Sequence, residues 1–377
     1  MKIGLVLDDT LDAPDGVQQY VLTIGRWLTA QGHDVHYLAG HTKRTDIPNI
    51  HSLSHNIKVR FNRNKLSIPL PVSRKKLRVF LAEQKFDVLH IQMPYSPQFA
   101  GKLISEAPES TAIIGTFHIL PYGHIQRVGS WLLSKILAKS LRRFDQVVSV
   151  SDAAQQFAGK VMGIHSSVVP NAVNLSNFAS GLPMPEIING KQNVLFLGRL
   201  VPRKGAKELL KAIALLSQTG KFEQQRCIIV GSGPQKRRLK RFVHRHKLTE
   251  KVVFAGQISE SQKANYFASS DVVVLPSLGG ESFGIVVVEA IASGAGVVLG
   301  GNNPGYRFVL ADTLEALVNP KDTKTMASRI DQLLSSSQLR QQFQDAQKQR
   351  IRQFDIIYIG PRILEVYTQA INKHGKV

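Results

Sequence analysis

The chain is 377 residues long, 43% apolar, with a mean hydropathy of −0.07 and a formal charge of +21. That length accommodates two domains of ordinary size, the composition describes a soluble globular protein, and no apolar run reaches the roughly 18 residues of a membrane-crossing helix. The one cysteine, Cys227, lies in the apolar run Cys227-Ile228-Ile229-Val230, reads as a core thiol, excludes an intramolecular disulfide and fits a reducing compartment.

Met1-Lys2-Ile3-Gly4-Leu5-Val6-Leu7 reads as a buried strand rather than a signal peptide, because Asp8 and Asp9 end the apolar run early. Further strand-like runs follow at 35–38, 88–91, 112–115 and 147–150. Between the first two, residues 17–28 repeat apolar side chains every three to four positions, and Gly32 supplies a helix stop. The turn-rich stretch 178–185 reads as a linker, after which strands recur at 193–198, 227–230, 252–254, 272–275 and 297–299. Such alternation predicts an α/β chain with parallel sheets covered by helices on both faces. Two doubly wound, Rossmann-like domains fit it, residues 1–182 and 183–357. The closing stretch carries Ile359, Ile363, Val366, Tyr367 and Ile371 on one helical face.

The strand at 271–276 runs into Glu281-Ser282-Phe283-Gly284, and Glu289 follows eight residues after Glu281. This places Glu281 on a loop at the carboxyl end of a strand and Glu289 about two turns into the next helix. Ligands of open α/β sheets bind at that end, and the first-turn N–H groups of a helix attract phosphate. The two acids can then hold sugar hydroxyls on either side of a diphosphate; the bland alternative is a helix-capping acid and a solvated one. Gly198-Arg199-Leu200-Val201-Pro202-Arg203-Lys204-Gly205 also follows a strand and opens a helix. Arg199 and Lys204 on that loop can neutralise a departing diphosphate, or be merely an exposed basic loop. Gly231-Ser232-Gly233-Pro234 permits close backbone approach to a ligand but is a common turn. Gly16, after the first strand, admits phosphate to the first helix, with an ordinary turn capped by Asp15 as the alternative. His118, in Thr116-Phe117-His118, ends a strand and reads as facing a cleft or as structural.

The charge is concentrated. Residues 58–85 hold nine Lys/Arg (Lys58, Arg60, Arg63, Lys65, Arg74, Lys75, Lys76, Arg78 and Lys85) against Glu83 alone, and residues 236–247 hold seven with no acid. Such patches suit anionic partners. In 73–83, Arg74, Lys75, Lys76 and Arg78 accompany Leu77, Phe80 and Leu81 on one helical face, a pattern that can lie in a membrane interface or pack on the sheet with a solvated basic face. The stretch 131–139 has a similar character, and its apolar side chains are expected to be buried.

Taken in order, Gly16, Thr116-Phe117-His118, Val150-Ser151, Val169-Pro170-Asn171, Gly198-Arg199 with Lys204-Gly205, Gly231-Ser232-Gly233-Pro234 and Glu281 to Glu289 resemble the family 4 retaining glycosyltransferases of GT-B fold. Within that family the chain looks most like the phosphatidylinositol mannosyltransferases, through Gly16-Val17-Gln18, the early basic segment and Thr116-Phe117-His118. The resemblance implies two Rossmann-like domains facing a cleft, with residues 1–182 binding acceptor, residues 183–357 binding nucleotide-sugar, and 358–377 packing back on the first. It implies that Arg199 and Lys204 hold the donor diphosphate, Glu281 the sugar and Glu289 the ribose. Ser282, Phe283 and Gly284 would offer backbone N–H groups, with His118 beside the sugar and Gly16, Gly198 and Gly231 near the donor. It implies retaining transfer by front-face attack, with the leaving phosphate taking the acceptor's proton, and neither a metal nor another cofactor beyond a donor of GDP-mannose or UDP-glucose type.

Departures are Ala295-Gly296 where the family has a small residue and Pro, an unusually basic helix after Pro234, and Ile356 where Trp is common. The function expected is hexosyl transfer to a lipid-linked acceptor by a cytoplasmic protein docked on an anionic membrane surface. A soluble transferase acting on a small molecule or polysaccharide, and a nucleotide-sugar epimerase or glycogen-synthase-like extender, are the alternatives. Nucleic-acid binding has only the charge in its favour.

Overall fold

The computed structural model describes residues 1–374 apart from Pro14, Asn62, Arg63 and Asn189, with the rest of 58–68 and His124 described by backbone alone. Arg63, counted above, lies outside the described residues, as do the side chains of Lys58, Arg60 and Lys65 and the last three residues of the tail. The chain divides into two compact units, Met1–Val173 with Ile356–Val377, and Asn174–Asp355.

The first unit is built on a seven-stranded sheet. Its elements in chain order are β1 (Lys2–Leu7), α1 (Gly16–Ala30), β2 (Asp34–Gly40), β3 (Ile50–Ser54), β4 (Asn56–Phe61), β5 (Asn64–Pro69), α2 (Arg74–Gln84), β6 (Val88–Met93), α3 (Ala100–Glu106), β7 (Ala112–Phe117), α4 (His124–Ile136), α5 (Ala138–Leu141), β8 (Gln146–Ser149), α6 (Asp152–Met162) and β9 (Ser167–Val168). The sheet order is β3-β2-β1-β6-β7-β8-β9, with parallel pairing throughout. Central strands such as β6 are buried at every residue, which is why they read as unbroken apolar runs. The antiparallel hairpin β4–β5 is an element the sequence reading did not identify. Ile57, Val59 and Phe61 alternate with Asn56, Lys58 and Arg60, a period-two signal that the charge count obscured.

The second unit contains α7 (Ser176–Ala179), α8 (Pro185–Ile188), β10 (Gln192–Leu197), α9 (Ala206–Gln218), β11 (Gln225–Val230), α10 (Lys236–Arg245), β12 (Val252–Gly256), α11 (Glu260–Ala268), β13 (Val272–Leu275), α12 (Ile285–Ala292), β14 (Val297–Gly301), α13 (Pro304–Val309), β15 (Leu317–Val318), α14 (Thr323–Ser335) and α15 (Ser337–Ile351). Its parallel sheet runs β12-β11-β10-β13-β14-β15. The order reverses between β10 and β13, which pair through Val194 with Val272 and Leu195 with Val273. At such a reversal point, ligands of open α/β sheets bind outside the carboxyl ends of the strands. The stretch 178–185 belongs to this unit: the Leu182 and Met184 amides donate to Asn265 Oδ1 and Ser269 Oγ. The division consequently falls earlier, after Val173.

The last helix, α16 (Ile356–Asn372), joins the first unit. Ile359, Ile363, Val366, Tyr367 and Ala370 are buried against the core around α1 and the sheet, and Ile371 is partly buried there. Burial of each large apolar side chain contributes roughly 2 kcal/mol. The Tyr367 hydroxyl is 2.7 Å from His90 Nδ1, and His90 Nε2 is 2.6 Å from Thr116 Oγ1, so a polar chain ties this helix to β6 and β7.

Candidate active site

The loops after β10 and β13 meet at the reversal point of the second sheet. After β10 the backbone passes Gly198 and Arg199 into a short 3-10 turn, Pro202–Lys204, which ends on Gly205 at φ 78° before α9 begins. A Cβ at Gly205 would stand 1.9 Å from the Pro276 carbonyl oxygen. Only glycine lets this loop close on the one that follows β13. The contact is sealed by the Leu278 amide, 2.8 Å from the Arg203 carbonyl.

The closure delivers Lys204 and Arg203 to Glu281. Lys204 Nζ is 2.9 Å from Glu281 Oε1, and Ser277 Oγ donates to the same oxygen at 2.7 Å. Arg203 Nη1 reaches it too, while also donating to the carbonyls of Gly279 and Gly280 at 3.1 and 3.3 Å. All three donors meet Oε1, and among the described residues no hydrogen bond falls on Oε2. Burial by itself raises the Glu281 pKa, but Lys204 and Arg203 outweigh it and hold the carboxyl below its ordinary value. Lys204 is pulled down by burial first; Glu281 opposes this, and neighbouring Arg203 and Arg199 add to the depression. Arg199 is exposed on the same loop. Two cations and one carboxylate thus leave net positive charge at the strand ends.

Sequence reasoning named Arg199 and Lys204 and missed Arg203. Its residue type was visible, but the 3-10 turn decides that its guanidinium, rather than that of Arg199, pairs with Glu281.

The glycine loop after β11 packs beside them. Gly231 sits at φ 132°, and a Cβ there would be 2.0 Å from the Gly198 carbonyl. The Leu200 amide donates to the Ser232 carbonyl at 2.8 Å. Helix α12 begins at Ile285, one residue after Gly284 as N-cap; Gly284 has no side chain to cap it, and no acid lies in its first turn. Its amino end keeps its partial positive charge for an anion. The Phe283 side chain is 1% exposed and packs on Phe308 and Phe354, so this residue can offer a ligand only its backbone. Ser282 stands directly before it.

Glu289 is the fifth residue of α12, in its second turn. It is 3% exposed, and Lys263 Nζ on α11 lies 2.9 Å from its Oε2 and 3.0 Å from Glu260. Burial opposes the ammonium of Lys263, yet the two carboxylates win and its pKa is raised; burial also raises Glu289, which Lys263 only partly offsets. Lys263 is a second functional candidate that sequence reasoning missed. The signal lay in Glu260 and Lys263, an i,i+3 pair at the start of a helix capped by Ser259.

In the first unit, Gly16 opens α1, and Asp15 occupies the N-cap position without a side-chain cap bond. His118 follows β7 and is only 7% exposed. It donates through Nε2–H to Gln92 Oε1 at 2.7 Å and meets the Tyr20 ring edge-on at 5.0 Å. Burial, then neighbouring His90, lowers its pKa to about 3, so it is a neutral hydrogen-bonding group.

The basic helix also differs from one of its readings. Leu77 and Leu81 on α2 are 1% exposed, so its apolar face is packed inward and is not offered to a membrane. Arg74 and Arg78 both bridge Glu106 of α3, at 2.8 and 2.7 Å, while Lys75 and Lys76 are exposed and form no ion pair among the described residues. The stretch 131–139 departs from its expectation in part: Trp131, Leu132 and Ile136 of α4 are exposed, while Leu137 after it is buried. No helix among the described residues is long and apolar enough to cross a membrane.

Comparison with known proteins agrees with this geometry. The family model described as Glycosyltransferase Family 4 matches residues 14–177, and that described as Glycosyl transferases group 1 matches residues 184–350. The phosphatidyl-myo-inositol mannosyltransferase of Mycolicibacterium smegmatis is 32% identical over 97% of this chain and 93% of its own. Among solved structures, sucrose-phosphate synthase from Thermosynechococcus elongatus superposes with a TM-score of 0.73 at 21% identity, covering 99% of both chains. Anabaena HepE in complex with UDP and glucose gives 0.73 at 17% identity, covering 98% of this chain and 99% of that one.

Proposed function

Because the chain belongs to the family 4 glycosyltransferases, we propose that it moves a mannose- or glucose-type hexosyl group from a nucleotide diphosphate sugar to a lipid-linked acceptor, with retention at the anomeric carbon. The observation that carries this is the cation–carboxylate cluster of Arg203, Lys204 and Glu281, set beside Arg199 and the amino end of α12. The donor diphosphate lies against Arg199, Lys204 and the first N–H groups of α12, reached through Ser282, Phe283 and Gly284, with Gly198 and Gly231 giving its backbone room. Glu281, fixed through Oε1, presents Oε2 to sugar hydroxyls. Glu289, with Lys263, takes the ribose.

In the reaction the bond from the anomeric carbon to the diphosphate oxygen breaks, and its electron pair goes to the diphosphate. The acceptor hydroxyl oxygen bonds to that carbon on the same face and passes its proton to the departing phosphate. The cations offset the charge that develops on the leaving group, an effect worth about 3–4 kcal/mol per well-placed donor. No protein base is required, and His118, whose pKa burial lowers to about 3, is a weak base, in keeping with that.

The acceptor assignment is supported by the Mycolicibacterium relative, whose name is phosphatidyl-myo-inositol mannosyltransferase. Its setting would be an anionic membrane surface on the cytoplasmic side, with Lys75, Lys76, Arg74 and Arg78 of α2 contributing charge rather than apolar insertion. The test is a thermal-shift panel of GDP, UDP, GDP-mannose and UDP-glucose, followed by anomeric analysis of the product formed with a detergent-dispersed glycolipid acceptor. A cognate nucleotide at 100 Kd adds about 2.7 kcal/mol of stability. No shift with any of the four, or an inverted product, overturns the proposal.

A further inference from the structure

Helix α4 is amphipathic with its faces reversed. Ile125, Val128, Leu132 and Ile136 recur at i, i+3, i+7 and i+11 and are 77%, 64%, 54% and 60% exposed; Trp131 beside them is 50% exposed. The buried positions are Ser130 and Ser134, whose hydroxyls donate back to the Gln126 and Trp131 carbonyls at 2.9 and 2.7 Å. A helix ordinarily turns its apolar stripe to the core. A contiguous exposed stripe of this size marks a surface that another apolar phase covers.

The charge around the stripe identifies that phase. Between Glu109 and Asp145 there is no carboxylate, while Arg127, Lys135, Lys139, Arg142 and Arg143 supply five cations. Lys135 Nζ stands 5.7 Å from the Trp131 ring, at the margin of the stripe. Tyr122, 50% exposed, precedes the helix. Aromatic side chains and cations bordering an apolar face are what the boundary of an anionic bilayer selects. A second copy of this chain would instead set its own five cations against these.

We propose that α4 is a membrane-docking element, lying in the interface of a bilayer rich in anionic lipid with Ile125, Val128, Leu132 and Ile136 among the acyl chains. Its first residue comes six after His118, so docking brings the carboxyl end of β7 to the bilayer surface, where a lipid-borne acceptor is met. The proposal rests on the lipid-linked acceptor reading and relocates the apolar contact from α2, whose own stripe is buried.

The test uses the full chain with vesicles of phosphatidylcholine alone and of phosphatidylcholine with phosphatidylglycerol. Trp131 is the probe; Trp27, half-buried, gives the background that a Trp131→Phe variant measures. On anionic vesicles the wild type sediments, its emission shifts to the blue, and acyl-brominated lipid quenches it. The triple variant Ile125→Gln, Leu132→Gln, Ile136→Gln keeps its Tm and its transfer to detergent-dispersed acceptor, but its vesicle partition falls roughly tenfold or more. The proposal is overturned if that variant partitions like the wild type, or if the wild type sediments with Trp131 emission unmoved. It is equally overturned if the variant's one effect is to dissociate a dimer in sedimentation velocity. Failure of the wild type to transfer to any dispersed lipid acceptor is a separate readout, and overturns the acceptor reading and the reason for docking with it.

Discussion

Replacing Glu281 by Gln removes the negative charge that Lys204 and Arg203 share and leaves the shape of the side chain nearly intact. In the free protein two cations then face each other with no counter-charge. Removal of one partner of a buried ion pair costs about 3–5 kcal/mol. The side chains here keep 22% (Arg203), 18% (Lys204) and 12% (Glu281) of their exposure, so water screens part of the loss and roughly 2–3 kcal/mol is the expected cost. For a unit of this size that lowers Tm by about 5–10 °C. A bound diphosphate supplies the missing anion, so saturating GDP or UDP should recover at least half of the deficit and bind the variant more tightly than the wild type. Catalysis should fall nonetheless, because the sugar loses its carboxylate contact. Thermal denaturation of both proteins with and without nucleotide reads every term. The same Tm deficit with and without saturating nucleotide, or no deficit in the free variant, would refute the reasoning.

Other outcomes follow from the same contacts. Arg199→Ala and Lys204→Ala should each reduce kcat/KM by about 10²–10³ with nucleoside affinity unchanged; Lys204→Arg should restore little, since a fork cannot replace a point charge in the Gly205-closed loop. Asp8 is half-buried, and desolvation lifts its pKa from 3.8 to about 7 despite bonds from the Ser96 and Ala100 amides. The folded state thus keeps a proton that the unfolded chain loses near pH 4, and stability declines as pH rises from about 4 to 7, by up to roughly 4 kcal/mol. Asp8→Asn should flatten that decline in denaturant titrations at pH 5 and 7.5. Tyr367→Phe strips His90 Nδ1 of its 2.7 Å partner and should cost about 1–3 kcal/mol by equilibrium unfolding.

The two sheets were legible because parallel strands buried on both faces write continuous apolar runs, and glycine-rich loops after β10, β11 and β13 punctuate them. The hairpin β4–β5 was not, since its alternation is half made of cations. In the candidate site, residue types and order were readable, but pairings were not. Arg203 reaches Glu281 because a 3-10 turn rotates it there, and Lys263 reaches Glu289 because α11 packs on α12. The same limit explains α2 and α4: periodicity shows that a helix has an apolar face, whereas only the tertiary packing decides whether that face is turned inward. Leu77 and Leu81 are buried, and Leu132 and Ile136 are not.

The most direct test of the diphosphate site is a crystal structure of the chain with GDP or UDP, whichever stabilises it. The site predicts the β-phosphate within hydrogen-bonding reach of Lys204 Nζ, Arg199 and the first N–H groups of α12, with the ribose hydroxyls on Glu289. A nucleotide bound elsewhere, with the Lys204–Glu281 pair undisturbed and no phosphate beside it, would contradict the assignment of donor binding to these residues.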